Sequence, residues 1–144
     1  MMNDFEAWNH QVIEEFRANK GKVNGVHSLL LLTTTGARSG KQRMNPVAYT
    51  TDGERLVIIA SKAGMPTNPD WSHHIVAHPD VTVEVGSETF EARATIAGGA
   101  ERDELYAKQA AIMPNFAEYQ AKTTRTIPVI VLTRKKERKK EEIS

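Results

Sequence analysis

Short apolar runs joined by hairpin turn signals limit this chain to a small set of folds. Residues 28–34, 46–50 and 55–60 each have the length and the apolar or β-branched character of a strand. The segment Thr51-Asp52-Gly53-Glu54 joins the second run to the third, and Asp-Gly between two such runs is a strong β-hairpin signal. We therefore expect antiparallel strands in the first half of the chain.

The second half of the chain repeats this pattern. Residues 81–85 (VTVEV) alternate like a half-buried strand, and Gly86-Ser87 turns them into TFEARATI at residues 89–96. A last apolar run, IPVIVLT, occupies residues 127–133. Six strands in antiparallel hairpins, with few helices, predict a mainly β (α+β) fold in which the strands form a small antiparallel barrel.

Helices are expected to flank this barrel. Residues 4–19 predict an amphipathic helix that Gly21 would end, because apolar residues recur there at helical spacing, namely Phe5, Trp8, Val12, Ile13 and Phe16. Asn68 is a suitable cap for a second helix, which has Pro69 in its first position and continues through Ser72 to His78. Residues 100–112 and 114–122 predict two more helices.

The composition narrows the class of protein. At 144 residues the chain is long enough for one domain, and the absence of cysteine excludes disulfides, thiolate metal sites and a thiol nucleophile. No apolar run approaches the ~20 residues that a membrane-spanning helix needs, and the N-terminus lacks the pattern of a secretory signal. We therefore expect a cytoplasmic protein. Peripheral contact with the inner face of the membrane through the N-terminal helix is the alternative.

Positive charge is segregated in the first third of the chain, although the net charge is only +1. No carboxylate occurs between Glu15 and Asp52, whereas cations do, namely Arg17, Lys20, Lys22, Arg38, Lys41 and Arg43. This asymmetry favours an anionic ligand. The final segment, RKKERKKEEIS, mixes six cations with three glutamates and is predicted to be a solvated, disordered tail.

The sequence TTTGARSGKQRMNP, at residues 33–46, suggests a phosphate-binding loop, but its spacing excludes the nucleoside triphosphatase motif. That motif needs four residues between its glycines and a Ser or Thr after its lysine. Here three residues separate the glycines, and Gln42 follows the lysine. We interpret the stretch as a turn between strands in which Arg38 and Arg43 grip an anion and Ser39 adds a hydroxyl. The alternative is an ordinary cationic hairpin loop.

Two further segments carry residue types suited to a binding site. Ser61 and Lys62 directly follow an apolar strand, and Trp71 offers either an aromatic face for a planar ligand or a plug for the core. Met113, Phe116 and Tyr119 recur every three residues. They predict an apolar pocket with the Tyr119 hydroxyl as its polar group, or else packing in the core.

The polar residues point to a borrowed cofactor rather than to a metal or a nucleophile. His74 and His78 have the spacing of two zinc ligands on a helix, but the accompanying glutamate and a third ligand are missing, so we expect no metal. No Ser–His–Asp arrangement or carboxylate pair stands out. An anion grip beside an aromatic wall suits a cofactor that performs the chemistry itself.

Four motifs occur in order between Leu29 and Leu132: LLLTTTGARSGKQRMNPVAY, IASKAGMPTNPDW, HPDVTVEV and YQAKTTRTIPVIVL. In these motifs the chain resembles the deazaflavin-dependent nitroreductase family, split-barrel reductases that use coenzyme F420. The resemblance implies a six-stranded split β-barrel like that of FMN-binding reductases. It divides the chain into an N-terminal helix (1–22), a deazaflavin-binding reductase domain (23–133) and the tail (134–144).

The resemblance also implies site residues. The phosphate and the polyglutamate tail of F420 would lie against Ala37, Arg38, Ser39, Arg43, Met44, Asn45, Pro46, Val47 and Ala48. The deazaflavin ring would lie against Ile59, Ala60, Ser61, Lys62, Asp70, Trp71, Ser72, His73 and His74. The substrate pocket would comprise Met113, Phe116 and Tyr119. Ser61, as a hydrogen-bond donor to the acceptor, and Tyr119, as a proton donor, are the implied catalytic residues.

The implied reaction is hydride transfer from reduced F420 to an electron-poor acceptor, such as a quinone, the activated alkene of an unsaturated lactone or a nitro compound. Met113 and Phe116 stand where nitroimidazole-activating members carry tyrosines, which argues against bulky nitro prodrugs as substrates. An FMN-dependent oxidoreductase on the same barrel and a non-catalytic deazaflavin carrier are the alternatives. Nucleic-acid binding is not expected, because the basic stretches lack interleaved exposed aromatic residues. We expect a monomer or a homodimer.

Overall fold

The strands close into the antiparallel barrel that the sequence predicts. The computed structural model describes residues 4–20, 28–61, 64 and 68–135, with side chains of the first helix from Asn9 onward. In chain order its elements are α1 (Asp4–Ala18), β1 (Leu29–Thr35), β2 (Gln42–Asp52), β3 (Arg55–Ile59), α2 (Asp70–Ala77), β4 (Asp80–Val85), β5 (Glu88–Ile96), α3 (Gly99–Ile112), α4 (Asn115–Ala121) and β6 (Val129–Arg134).

The order of the strands around the barrel is β1-β2-β3-β6-β5-β4, and every pair is antiparallel. Gly53 (φ 62°) and Gly86 (φ 60°) occupy the two tight turns in the left-handed backbone conformation that glycine adopts readily. Because neighbouring strands run in opposite directions, these two turns lie at one end of the barrel. The β1–β2 loop and the segment that follows β3 lie at the other end.

The N-terminal half of β2 is paired along one edge only, and we call it the open half of β2. Residues 42–48 pair with β1 only, and pairing with β3 begins at Tyr49, opposite Ile58. Pro46 lies within this half. Proline has no N–H to donate, and here no second strand requires a hydrogen bond from β2. The sequence predicts a shorter strand, 46–50, because GKQRMN has the composition of a loop. Its pairing with Thr35–Leu32 extends the strand by four residues.

Helix α2 closes the end of the barrel at which the β1–β2 loop and the segment after β3 lie. Its Trp71 and Ile75 belong to the interior cluster of the barrel, together with Leu30, Val47 and Ile58. Trp71 is only 8% exposed. Of the two alternatives for this tryptophan, the structure therefore shows the core plug.

Two further clusters cover the outside of the barrel. Under α1, Val12 and Phe16 pack on Leu29 and Leu31 of β1. Under α3 and α4, a larger cluster covers β3 and β6; it contains Val57, Ile59, Ala97, Leu105, Tyr106, Phe116, Ile127, Val129 and Val131. The outer face of the open half of β2 lies between these two covered regions.

Arg17 fastens α1 to the barrel rather than contributing a free positive charge. Its Nη2 atom lies 2.9 Å from the Glu84 carboxylate on β4 and 3.5 Å from the Met44 sulfur. The hydrogen bond to Glu84 raises the pKa of Arg17. One of the segregated cations thus has a structural partner that the sequence does not reveal.

Among the described residues, no helix is long and apolar enough to span a membrane.

Two details of the sequence prediction are corrected. Asn68 does not cap α2: the helix begins at Asp70, Pro69 occupies the cap position without a side-chain hydrogen bond, and the Asn68 Oδ1 accepts from Arg125 instead. Strand β6 continues through Arg134, the first residue of the predicted tail, because Arg134 pairs with Ala92 of β5; its guanidinium also bonds Glu88 and lies over the Phe90 ring. The remaining residues of the predicted tail, 136–144, lie outside the described part of the chain.

A buried hydrogen-bonded pair joins α3 to β2, and we use it to predict how two substitutions change the free energy of unfolding. Thr50 Oγ1 donates to Gln109 Oε1 (3.2 Å), while the buried Nε2 of Gln109 has no partner among the described residues. Thr50→Val leaves the whole carboxamide unpaired and is expected to lower the free energy of unfolding by about 1–3 kcal/mol. Thr50→Val with Gln109→Met removes both groups and is expected to be more stable than the single variant. Urea unfolding measures both, and a double variant no more stable than the single would contradict the argument.

Candidate active site

The β1–β2 loop is a tight, internally bonded turn. The Gly36 N–H donates to the Lys41 carbonyl (2.7 Å), and the Gly40 N–H donates to the Gly36 carbonyl (3.0 Å). The Lys41 N–H donates to Ser39 Oγ (3.1 Å), so the Ser39 hydroxyl fixes the loop while its own proton stays available to a ligand. The N–H groups of residues 37–39 have no partner among the described residues.

The cations on this loop are not neutralised by the protein. Arg38, Lys41 and Arg43 are exposed, and in the described part of the chain none of them forms an ion pair. Most other arginines of the barrel, such as Arg55 and Arg134, do have carboxylate partners. These three cations and the neighbouring N–H groups make this end of the barrel electropositive, which is the charge that an anionic ligand requires.

The open half of β2 leads from this loop toward the cover of α3 and α4. Its side chains alternate, so that Met44, Pro46 and Ala48 share the outer face while Val47 lies inside the barrel. Met44 packs against the cluster under α1, and Ala48 packs against the cluster under α3 and α4. The outer residues are half-buried and small or apolar. We call this strip of outer-face residues, Met44, Pro46 and Ala48, the groove, because it lies between the clusters under the two helical covers.

The end of β3 forms the next part of the site. Ile59, Ala60 and Ser61 are all buried, and Ser61 is 9% exposed. Two guanidinium nitrogens of Arg125 bind the Ser61 carbonyl (2.7 Å) and the Ala60 carbonyl (3.3 Å). Burial lowers the pKa of Arg125. Lys62, which the sequence also assigns to this site, lies outside the described residues.

Helix α2 contributes mostly structural contacts. Besides the plug residue Trp71, Ser72 Oγ donates to the Pro69 carbonyl (2.7 Å), and His74 Nδ1 lies 3.0 Å from Thr34 Oγ1 on β1. The last contact joins α2 to the strand that leads into the cationic loop. Asp70 and His73 are exposed, and no three potential metal ligands cluster among the described residues.

The predicted substrate residues come together on the α3–α4 side of the groove. Met113 ends α3, and Phe116 and Tyr119 lie on α4. Phe116 is buried, its carbonyl accepts from the Tyr106 hydroxyl, and its ring lies 5.3 Å from that of Tyr119. Met113 and Tyr119 are half-buried and pack on the same cluster as Ala48. Phe116 is thus a core residue, and the other two lie at its edge.

Sequence reasoning missed the residues that support this site. Arg125 lies in the connection between α4 and β6, and the Arg102 and Gln120 side chains bind this connection. Its sequence signal is weak: it is the second of two cations in the polar stretch KTTRT, shortly before a buried strand. Gly64 was also missed. A Cβ atom there would lie 2.8 Å from the Tyr119 carbonyl, so Gly64 packs tightly against α4.

Comparisons with known proteins show the family to which the chain belongs. The sequence profile described as F420H(2)-dependent quinone reductase matches residues 8–134. An F420H(2)-dependent quinone reductase of Mycobacterium tuberculosis is 36% identical over 129 residues, which cover 83% of this chain and 85% of that protein.

Two solved structures share the fold. One, described as a domain-swapped dimer, is 32% identical with a TM-score of 0.70, covering 90% of this chain and 97% of that one. The other, described as the F420-H2 dependent reductase FDR-A, is 36% identical with a TM-score of 0.67, covering 75% of this chain and 99% of that one. The predicted split-barrel fold is thereby confirmed. The chain belongs to the F420H(2)-dependent quinone reductase family and is an F420-dependent reductase.

Proposed function

We propose that this enzyme transfers a hydride from reduced F420 to a quinone in the groove on the outer face of β2. The observation that carries the proposal is the set of unpaired cations beside the open half of β2, at the same end of the barrel as Ser61. Bound reduced F420 supplies the hydride, from carbon 5 of its deazaflavin ring. The protein supplies binding, orientation and the handling of charge.

The cationic loop fits the acidic half of the coenzyme. Arg38 and Arg43 present forked donors to phosphate or carboxylate oxygens, and the Ser39 hydroxyl and the N–H groups of residues 37–39 add neutral donors. Because the cations are exposed, they can follow a flexible chain of glutamates along the surface. Lys41 increases the local positive potential without needing a fixed geometry.

The groove fits the planar half of the coenzyme and the acceptor. Pro46 and Ala48 are small or apolar and let a ring approach the backbone of β2, and β3 leaves this half of the strand unpaired along one edge. Ser61 hydrogen-bonds the quinone oxygen on which negative charge develops. Tyr119, half-buried on α4, delivers the proton that the reduced oxygen needs.

The alternative acceptors and cofactors make different demands on the site. An activated alkene or a nitro compound would use the same groove, and Met113 and Phe116 offer no phenol for a bulky nitro substrate. FMN would need the anion site for one phosphate only, and a carrier would need no acceptor site at all. A relative is described as a domain-swapped dimer, which keeps a homodimer open for this chain beside the monomer.

One experiment distinguishes these functions. The purified protein is titrated with oxidised F420 and, separately, with FMN, and reduced F420 is then mixed with menadione while its reoxidation is followed. We expect tight F420 binding and reoxidation that depends on both protein and menadione. Binding without acceptor-dependent reoxidation would indicate a carrier. A preference for FMN would refute the proposal.

Tyr119→Phe tests the proton donor. The substitution keeps the ring against Phe116 and removes only the hydroxyl, which among the described residues accepts one long hydrogen bond, from Asn115 (3.5 Å). General acids contribute about 10²–10⁴-fold, but water reaches this half-exposed position, so we expect kcat with menadione to fall about tenfold. Stopped-flow reoxidation of reduced F420 measures the change. Unchanged turnover would leave packing as the only role of this residue.

A further inference from the structure

The backbone at the end of β3 is held by a side chain from a distant part of the sequence. The Ala60 N–H donates to the Pro128 carbonyl beside β6 (3.0 Å), which is the last rung of the β3–β6 ladder. Beyond that rung, the Arg125 side chain replaces the strand as hydrogen-bond partner. Its Nη1 binds the Ala60 carbonyl and Asn68 Oδ1 (2.6 Å), and its Nη2 binds the Ser61 carbonyl. One planar guanidinium thus fixes two successive peptide groups and the start of α2.

This arrangement determines where the Ser61 N–H points. A trans peptide holds its C=O and the following N–H on opposite sides of the chain. Because the Ala60 carbonyl faces Arg125 on the β6 side of β3, the Ser61 N–H faces the other side, where β2 is the neighbouring strand. That is the side on which β2 has an unpaired edge. The N–H has no partner among the described residues.

Arg125 is itself held in place by α3 and α4. Its carbonyl accepts from Gln120 Nε2 (2.8 Å), and Gln120 Oε1 accepts from the Arg102 guanidinium (2.7 Å). The same Arg102 binds the Ile127 carbonyl (2.8 Å). A chain of hydrogen bonds therefore links both helices to the main chain of Arg125 and fixes the place from which its side chain reaches the two carbonyls.

A second contact joins the same loop to α4. Gly64 donates its N–H to the Ser61 carbonyl (2.9 Å) and has a φ of 77°. Its α-carbon approaches α4 so closely that a Cβ would meet both the Tyr119 carbonyl and the side chain of Lys122. The position of Ser61 is thus coupled to the helix that carries Tyr119.

We propose that Arg125 is a positioning residue, whose guanidinium holds the Ser61 N–H and hydroxyl toward the open edge of β2 for the deazaflavin ring and its acceptor. This inference rests on the proposed function. Asn68 assists by holding the second edge of the guanidinium. The planar fork is the essential feature, because a lysine ammonium at this position cannot bind both carbonyls in one plane.

Arg125→Lys tests this role, with Asn68→Ala as a milder variant and Arg93→Lys as the control. Arg93 is an exposed partner of Asp80 and lies outside the site. For Arg125→Lys we expect kcat at saturating coenzyme to fall about tenfold, while the Kd of oxidised F420 changes less than threefold, because its phosphate is held elsewhere. In the coenzyme-free protein, amide exchange at Gly64 should accelerate about tenfold. Asn68→Ala should show a two- to threefold loss of kcat, and Arg93→Lys should show none.

The readouts separate a positioning role from a purely structural one. If Gly64 exchange accelerates but turnover per bound coenzyme equals that of wild type, Arg125 supports the loop only and the proposal is wrong. If Gly64 exchange does not change, the clamp itself is refuted. Wild-type protein that fails to reoxidise F420H2 with menadione would refute the proposed function instead. The exchange measurement would still decide whether Arg125 fixes the Ser61 peptide.

Discussion

Replacing Arg38 and Arg43 together by alanine is expected to weaken the binding of oxidised F420 about 100-fold. Both guanidinium groups are exposed and lack ion-pair partners among the described residues, so their full charge is available to the coenzyme. Hydrogen bonds to charged groups contribute about 1.5–3 kcal/mol each. Solvent screening places these two near the lower limit, about tenfold in affinity for each residue.

The matched control removes two arginines from the opposite end of the barrel. Arg55 and Arg134 each have a carboxylate partner near the β2–β3 and β4–β5 turns. Arg55→Ala with Arg134→Ala changes the net charge by the same amount, and we expect no more than a twofold change in the Kd of F420. Equal losses in the two double variants would mean that general electrostatic attraction, and not the loop, binds the coenzyme.

Varying the number of glutamates in the coenzyme tail extends the test of Arg38 and Arg43. If the loop grips the acidic tail as well as the phosphate, the double variant should lose more affinity for F420 with several glutamates than for a form with one. Raising the salt concentration should weaken wild-type binding more than binding by the variant, because exposed charges are screened. Fluorescence titration of oxidised F420 measures both. An affinity that is unchanged for every tail length would show that the loop is not the grip.

Local patterns predicted the barrel, and long-range pairing decided the rest. The two hairpins were predictable because Gly53 and Gly86 mark their turns within a few residues of each strand. The first four residues of β2 were not, because Gln42–Asn45 become a strand only by pairing with β1. The capping role of Asn68 failed for the same reason: its side chain binds Arg125, a residue 57 positions away.

The candidate site divides in the same way. The cationic loop is contiguous, so its charge can be read directly from the sequence. The Trp71 plug needed the barrel interior to distinguish it from a ligand wall, since an aromatic residue suits either place. Arg125 binds main-chain carbonyls, which carry no sequence signature at all. A residue that acts on backbone geometry can therefore be identified only once the fold is known.

Ser61→Ala is expected to lower kcat with menadione about 100-fold. The serine is 9% exposed at the end of β3, and its hydroxyl has no hydrogen-bond partner among the described residues. It can therefore turn toward an acceptor oxygen without breaking a hydrogen bond to any described residue. Removing one preorganised donor to a developing oxyanion costs about 10²–10³-fold in kcat, and the remaining Ser61 N–H keeps the loss near the lower end. Ser87→Ala, in the distant β4–β5 turn, is the control and should turn over like wild type.

Combining Ser61→Ala with the loop variant separates the two parts of the site. The hydroxyl of Ser61 and the guanidinium groups of Arg38 and Arg43 contact opposite halves of the bound coenzyme and acceptor in the proposed arrangement. Their effects should therefore add, because substitutions at separate sites without shared partners are nearly independent. We expect the triple variant to show the raised Kd of the loop variant and, at saturating F420, the lowered kcat of Ser61→Ala. A Kd that Ser61→Ala alone raises tenfold would show that this hydroxyl acts mainly on the coenzyme and not on the acceptor.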